Sequence, residues 1–311
     1  MEQQPFHRPG RAASRGLFLA LCCSAGLPGL AQQEERPKLT TAPIRTVEHR
    51  YKVTPQGELL LHGYLPEGWK AEDRRPVILF FFGGAWLTGS HRQFAPQAEY
   101  FASRGIVGLV ADYRVGNQHK TTPDRCVEDA RSAMRWVRSH ARELGIDPDR
   151  IIASGGSAGG HLAAATALLP GFDDPADDRS ISCRPNALVL FNPALNLTGR
   201  ETPVQDEAGK DISHDFSPTL FLKKDAPPTI LFYGTADRIL SQGQEFLARS
   251  RALGNRVELH LAPDMPHAFF NRPPWLQSTT RKADEFLSAL GYLTGPPALA
   301  PVTEAALKKA E

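Results

Sequence analysis

From about residue 75 the chain alternates short, continuously apolar runs with amphipathic stretches. Val77–Phe82, Ile106–Ala111, Ile151–Ala153, Ala187–Phe191, Thr229–Tyr233 and Val257–Leu261 are the runs. Runs without polar alternation predict parallel strands covered on both faces. Between them, Val127, Ala130, Met134, Val137, Ala141 and Leu144 recur every three or four positions and predict a helix over 124–144. Thr122 is placed to cap it, Pro123 suits its first position and Gly145 its end. A second helix over 242–253 has Ser241 and Gln244 spaced as a capping box and Gly254 as its stop. A last helix, about 277–290, carries Ala283, Phe286, Leu287 and Leu290 on one face. Upstream, 46–65 reads as an antiparallel hairpin around Pro55-Gln56-Gly57. The whole is an α/β pattern: a mostly parallel central sheet with helices on both faces.

Three segments depart from the alternation. Residues 32–45 are polar and predict a flexible lead-in, and 294–311 a loose tail. Residues 193–228, polar and rich in Asp, predict a small lid-like insert inside a catalytic domain spanning 46–293. No solenoid-period repeat is present. A chain of 311 residues fits one such domain.

The first residues read as a signal peptide. Arg8, Arg11 and Arg15 precede an apolar stretch from Gly16 to Leu30, and Gly29 and Ala31 are the small residues of a cut before Gln32. The stretch is too short and too interrupted for a spanning helix. Export is therefore expected, periplasmic or secreted, with no membrane span. Losing residues 1–31 would leave 33 basic and 33 acidic residues. With that balance and no basic cluster, nucleic acid is not an expected partner.

The chemistry centres on Gly155-Gly156-Ser157-Ala158-Gly159. This is G-x-S-x-G between a strand and a helix, the context in which a serine is presented on a strained turn. A phosphate loop is excluded by the missing Gly-Lys-Ser/Thr ending. A serine nucleophile needs a base and an orienting acid, which in this architecture follow in the order Ser, Asp, His. Asp237 ends the run Leu231–Tyr233 with its following turn, whereas Asp206, Asp211, Asp215 and Asp225 lie in the insert and Asp264 shares a loop with the candidate base. His267 lies in the loop after the last apolar run. His260 falls on a strand, and His214 in the insert. Gly83 and Gly84 end another strand and, with Ala158, are the expected backbone donors to a developing oxyanion. Trp86, Tyr113, Phe216 and Phe269, with Phe270 and Trp275, are candidates for a substrate-stacking surface. His161 is a candidate contact that is more readily read as a packed histidine. No cofactor or metal is called for.

These residues resemble the esterase branch of the α/β-hydrolase superfamily, near hormone-sensitive-lipase-like enzymes, acetyl esterases and carbohydrate esterases. Gly83-Gly84-Ala85-Trp86, Asp112-Tyr113-Arg114, Gly155 to Gly160, Gly234-Thr-Ala-Asp237 and Pro266-His267-Ala-Phe-Phe-Asn271 carry the resemblance. The family's usual His before the glycine pair is Phe82 here. The resemblance implies the α/β-hydrolase fold and ester hydrolysis. The small insert points to short acyl groups, and export with the aromatic residues points to an acetyl-type ester on plant or algal carbohydrate. A peptidase or amidase on the same fold would need a screening domain, and a non-catalytic binding protein would be expected to have lost a triad residue.

Cys22 and Cys23 belong to the leader, leaving Cys126 and Cys183. The former starts a helix near the carboxyl ends of the strands, and the latter precedes a strand at the opposite edge. A disulfide needs Cα atoms within about 7 Å, so both thiols are expected to be free.

Overall fold

The computed structural model describes residues 37–311, so the leader expected at 1–31 and the start of the lead-in lie outside the described residues. The strands are β1 Arg45–Thr54, β2 Gly57–Leu65, β3 Arg75–Phe81, β4 Val107–Ala111, β5 Ile146–Gly156, β6 Ala187–Phe191, β7 Thr229–Gly234, β8 Val257–Ala262 and β9 Lys308–Lys309. Among the described residues they form one sheet in the order β1-β2-β4-β3-β5-β6-β7-β8-β9. β3 to β8 are mutually parallel, with antiparallel partners β2 beside β4 and β9 beside β8. The apolar runs are its buried centre: every residue of β4, β6 and β7 is buried.

The helices are α1 Ala95–Ser103, α2 Gly116–His119, α3 Pro123–Ser139, α4 Ala158–Leu168, α5 Leu240–Ala252 and α6 Trp275–Ala289. α1 and α6 are tied by the Tyr100 hydroxyl, which donates to the Asp284 carboxylate at 2.6 Å. No helix among the described residues is long and apolar enough to cross a membrane.

Local expectations and structure differ where backbone demands compete. α3 ends at Ser139 rather than 144; a further turn follows, and Gly145 at φ +62° closes that turn instead. Thr122 occupies the N-cap position of α3, but its hydroxyl makes no capping bond. Ser241 lies inside α5, so the Ser241–Gln244 capping box does not form. Ile239 stands at the N-cap position without a side-chain cap, and Asp237 Oδ1 accepts the Ile239 N–H at 3.0 Å in the turn before the helix.

The tail expected to be loose is packed on the domain. Ala305 is buried, and the Ala310 N–H donates to the Leu259 carbonyl at 2.8 Å as β9 pairs with β8. This covers the open edge of β8, and a two-residue strand has no periodicity to betray it. Leu39 of the lead-in is likewise buried. The insert 193–228 is also anchored. The Leu195 N–H donates to Gln242 Oε1 of α5 at 2.8 Å, and Arg125 of α3 pairs with Glu207 at 2.8 Å. Cys126 and Cys183 are both buried and free, as the topology led us to expect. Their thiols face the carbonyls of Arg114 at 3.0 Å and Thr166 at 3.5 Å.

Candidate active site

The site is assembled from loops at the carboxyl ends of β5, β7 and β8. Ser157 is the single residue between β5 and α4, at φ 53° and ψ −118°. A non-glycine residue there is strained, and the surroundings must hold it. Its N–H donates to the Phe191 carbonyl at 2.9 Å, and its own carbonyl accepts the His161 N–H at 3.0 Å. The turn demands close approach: a Cβ on Gly159 would come within 2.0 Å of the Phe81 carbonyl oxygen. Only glycine fits.

Asp237 stands in the turn after β7, and His267 in the loop after β8. The two loops touch at Gly234, where a Cβ would lie 1.9 Å from the Met265 oxygen. His267 Nδ1 is 2.7 Å from Asp237 Oδ2, and His267 Nε2 is 2.8 Å from Ser157 Oγ. The Asp237 side chain is 1% exposed and that of His267 39%. The buried carboxylate fixes Nδ1–H as donor, leaving the Nε2 lone pair toward the serine hydroxyl. The partly open imidazole leaves the reacting centre accessible to water. Thus the structure brings together Ser157, Asp237 and His267. It keeps the competing residues away: Asp264 accepts no bond from His267, His260 is buried against Glu258 at 3.0 Å, and exposed His214 lies beside Asp215 at 3.1 Å.

The expected donor Gly83 is corrected by the structure. Its N–H donates to Gln93 Oε1 at 2.6 Å and is therefore taken. Gly83 matters sterically, because a Cβ there would meet the Gly156 oxygen at 2.8 Å and the Ser157 Cβ at 3.4 Å. Among the described residues no acceptor is found for the N–H groups of Gly84 and Ala158. Ala158 also begins α4, whose first N–H groups lack intrahelical partners.

The residues expected to offer a stacking surface are buried. The Tyr113 hydroxyl donates to the Phe82 carbonyl at 2.7 Å and its ring stacks on Phe82, bracing the chain just before Gly83. Trp86, His161 and Phe216 form a buried cluster, with His161 ring centroids 5.2 Å from Trp86 and 4.3 Å from Phe216. The Nε2–H of His161 donates to the Phe216 carbonyl at 2.8 Å. Burial pushes this imidazole down to about 4, the Phe216 carbonyl pulling weakly the other way. Phe269 packs edge-on against Trp275, centroids 5.7 Å apart. A cavity of about 560 Å³ beside the site is lined by His267, Phe269, Arg272 and Trp275 among others.

One residue escaped the sequence reading. Asn192, buried at the end of β6 with φ +36°, places Nδ2 3.2 Å from His267 Nε2 and accepts the Ala268 N–H on Oδ1 at 3.1 Å. The available signal was a lone polar residue ending a fully apolar central strand next to the serine strand.

Residues 61–251 match the BD-FAE family. The chain belongs to that family. This BD-FAE member lies in the esterase branch of the α/β-hydrolase superfamily. It is 32% identical over 62% of its length to a probable carboxylic ester hydrolase, LipM, of Mycobacterium tuberculosis, covering 49% of that protein. It is 30% identical over 64% of its length to the carboxylesterase NlhH of Mycobacterium tuberculosis, covering 68% of it. Thus the BD-FAE chain spans about half the length of the first of these relatives. Among solved structures, Thermogutta terrifontis esterase 2 phosphoramylated by tabun superposes with a TM-score of 0.76 at 44% identity, over 80% of this chain and 96% of that one. The propionate-bound form of that esterase gives 0.75 at 42% identity, over 80% and 96% of the two chains.

Proposed function

We propose that this BD-FAE protein hydrolyses carboxylic esters of short acyl chains through Ser157, His267 and Asp237. The observation that carries the reading is the continuous relay from Asp237 Oδ2 through His267 to Ser157 Oγ, with contacts of 2.7 and 2.8 Å. Ser157 Oγ attacks the ester carbonyl carbon as His267 Nε2 takes its proton. Negative charge then builds on the carbonyl oxygen, and the N–H groups of Gly84 and Ala158 receive it. Preorganised donors of this kind lower such a barrier by a few kcal/mol. Asp237 holds the Nδ1–H tautomer and stabilises the imidazolium. His267 returns the proton to the leaving alkoxide, and water attacks the acyl-serine with His267 again as base.

The walls favour a short acyl chain. Trp86, His161 and Phe216 fill the space behind the serine helix, and the insert 193–228 contributes a single short 3-10 turn, Pro218–Phe221, rather than long apolar helices. The related Thermogutta terrifontis esterase 2 was solved with propionate and with butyrate bound. The aromatic rings once expected to stack on a sugar are buried, so the acyl half of the substrate is better constrained than the alcohol half. Acetyl esters on carbohydrate belong to the proposal on the strength of export, itself proposed from the charged, apolar and small-residue pattern of 1–31.

Steady-state hydrolysis of p-nitrophenyl acetate, butyrate and octanoate, with acetylated xylan alongside, tests the reading. Acetate and butyrate are expected to turn over faster than octanoate, and Ser157→Ala to abolish all activity. Faster octanoate turnover would overturn the short-acyl assignment, and an active Ser157→Ala the nucleophile. A protein recovered outside the cytoplasm with an N-terminus at Gln32 would support export; one retained uncut in the cytoplasm would oppose it.

A further inference from the structure

A second constellation of side chains stands apart from the triad. It joins His62 of β2, His91 of the 3-10 turn His91–Gln93, and Asp112 just past the end of β4. His62 Nε2 is 3.0 Å from Asp112 Oδ2, and His91 Nδ1 is 3.7 Å from Asp112 Oδ1. The imidazoles lie face to face with centroids 3.6 Å apart. One nitrogen of each histidine and one carboxylate oxygen all fall within 4.8 Å of one another. The ester chemistry uses none of them.

Fixed backbone holds the cluster. The Asp112 N–H donates to the Leu60 carbonyl at 2.8 Å, and its carbonyl accepts the Tyr51 hydroxyl at 2.6 Å. His62 Nδ1 lies 3.1 Å from Glu48 Oε1. An imidazole that donates Nδ1–H to a carboxylate presents a lone pair at Nε2. Here that lone pair would face a second carboxylate oxygen at 3.0 Å, an arrangement that a cation between the two would satisfy. Carboxylate, histidine and metal in series is how protein sites commonly orient a ligating imidazole. With bonds of about 2.0–2.1 Å, neighbouring donors around a metal stand about 3.0–3.4 Å apart. His62 Nε2 and Asp112 Oδ2, 3.0 Å apart, stand at the short end of that range, while His91 Nδ1, 3.7 Å from Oδ1 and stacked on His62, would have to turn toward Asp112 to join them. A hollow of about 360 Å³ lined by Glu48, His62 and His91 opens beside the two imidazoles.

We propose that His62, His91 and Asp112 form a binding site for a divalent transition metal, with Glu48 orienting His62. Two imidazoles and a carboxylate suit Zn²⁺, Co²⁺ or Ni²⁺ rather than Mg²⁺ or Ca²⁺, which want oxygen ligands. An ion there cross-links β2, the end of β4 and the 3-10 turn. Gln93 closes the same turn and holds the Gly83 N–H, so the ion would brace the loop beside Ser157 from behind.

Calorimetric titration of the full-length protein with ZnCl₂, and with CoCl₂ followed by visible absorption, tests the proposal. Wild type is expected to bind one ion at this site, and its Tm to rise with free Zn²⁺. His91→Ala and His62→Gln are each expected to weaken that binding by about tenfold or more and to abolish the Tm rise. His91 is partly exposed on a turn, so His91→Ala should fold; circular dichroism checks this, and His91→Gln replaces it otherwise. Equal binding by wild type and both variants would put the metal elsewhere, for example on the leader cysteines. Absence of binding would make the cluster a histidine cation held between Glu48 and Asp112. Either result overturns the proposal.

Discussion

Asn192 brings its amide Nδ2 to 3.2 Å from His267 Nε2 while its Oδ1 accepts the Ala268 N–H at 3.1 Å. The second contact sets the orientation of the amide, and together they pin the ring that must face Ser157. Asn192 is thus a positioning residue for the proposed base. Asn192→Ala removes both contacts, whereas Asn192→Asp keeps an acceptor for Ala268 and loses the donor toward Nε2. Asn192→Ala is expected to lower kcat by about tenfold or more with KM little changed, since misplaced reacting groups cost rate rather than binding. Asn192→Asp should separate the two contacts. A variant with raised KM and unchanged kcat would show that Asn192 shapes the pocket instead.

Asp237 has two tasks, since Oδ2 meets His267 and Oδ1 accepts the Ile239 N–H in the turn that leads into α5. Asp237→Asn is close in shape but favours the wrong imidazole tautomer. Its kcat is expected to fall by about four orders of magnitude. Asp264→Asn, in the same loop as the histidine but bonded through its backbone N–H to Thr235 Oγ1, should remain near wild type. The reverse pattern in parallel kinetics would reassign the acid.

How far the sequence foretold this site depends on what kind of constraint each residue obeys. Ser157, Asp237 and His267 were legible because each obeys a chain-order rule and a strand-end position. The central strands were legible because burial on both faces removes polar residues. Asn192 was not, since a single Asn before Pro193 looks like any turn. Nor was the loss of Gly83 as a donor, which depends on Gln93 folding back across ten residues. The burial of Tyr113 and Phe216 is illegible for a similar reason: an aromatic residue near a motif reads the same whether it faces substrate or a neighbouring carbonyl. β9 is too short to show a period, and only its pairing with β8 reveals it.

His161 makes a pH prediction. Its imidazole is buried and held down to about 4, against an ordinary 6.5 in the unfolded chain. Below pH 6.5 the unfolded chain therefore takes up a proton that the folded protein refuses. This contribution to stability is full above pH 6.5, declines as the pH falls, and is lost by about pH 4; it amounts to about 3 kcal/mol. His161→Gln can keep a donor to the Phe216 carbonyl and cannot titrate. Urea midpoints between pH 7 and pH 4 should fall less steeply in the variant than in wild type. Parallel slopes would mean that His161 does not set this acid sensitivity.

The last prediction concerns Asp129, a fully buried carboxylate on α3. Its Oδ2 accepts the Arg114 N–H at 3.0 Å and Arg114 Nε at 2.8 Å, while Oδ1 accepts Arg114 Nη2 at 2.8 Å and Lys52 Nζ at 2.8 Å. Arg114 is the third residue of Asp112-Tyr113-Arg114, and Tyr113 braces the Phe82 carbonyl ahead of the Gly83 loop. The motif therefore acts as a strut from α3 to the site rather than as a substrate contact. Removing one partner of a buried pair leaves the other charge without compensation, at a cost of about 3–5 kcal/mol, whereas replacing both with apolar residues is often tolerated. Lys52 retains Asp174 at 2.6 Å, whereas Arg114 keeps only the longer contact of its Nη2 with Glu128 Oε2 at 3.5 Å, so Arg114 is the charge whose pairing weakens most. Asp129→Asn is expected to lose about 3 kcal/mol in urea unfolding, and Asp129→Leu combined with Arg114→Met to lose less than Asp129→Leu alone. If the double variant is instead the least stable of the three, the ion pair contributes net stability and the argument from stranded charge fails.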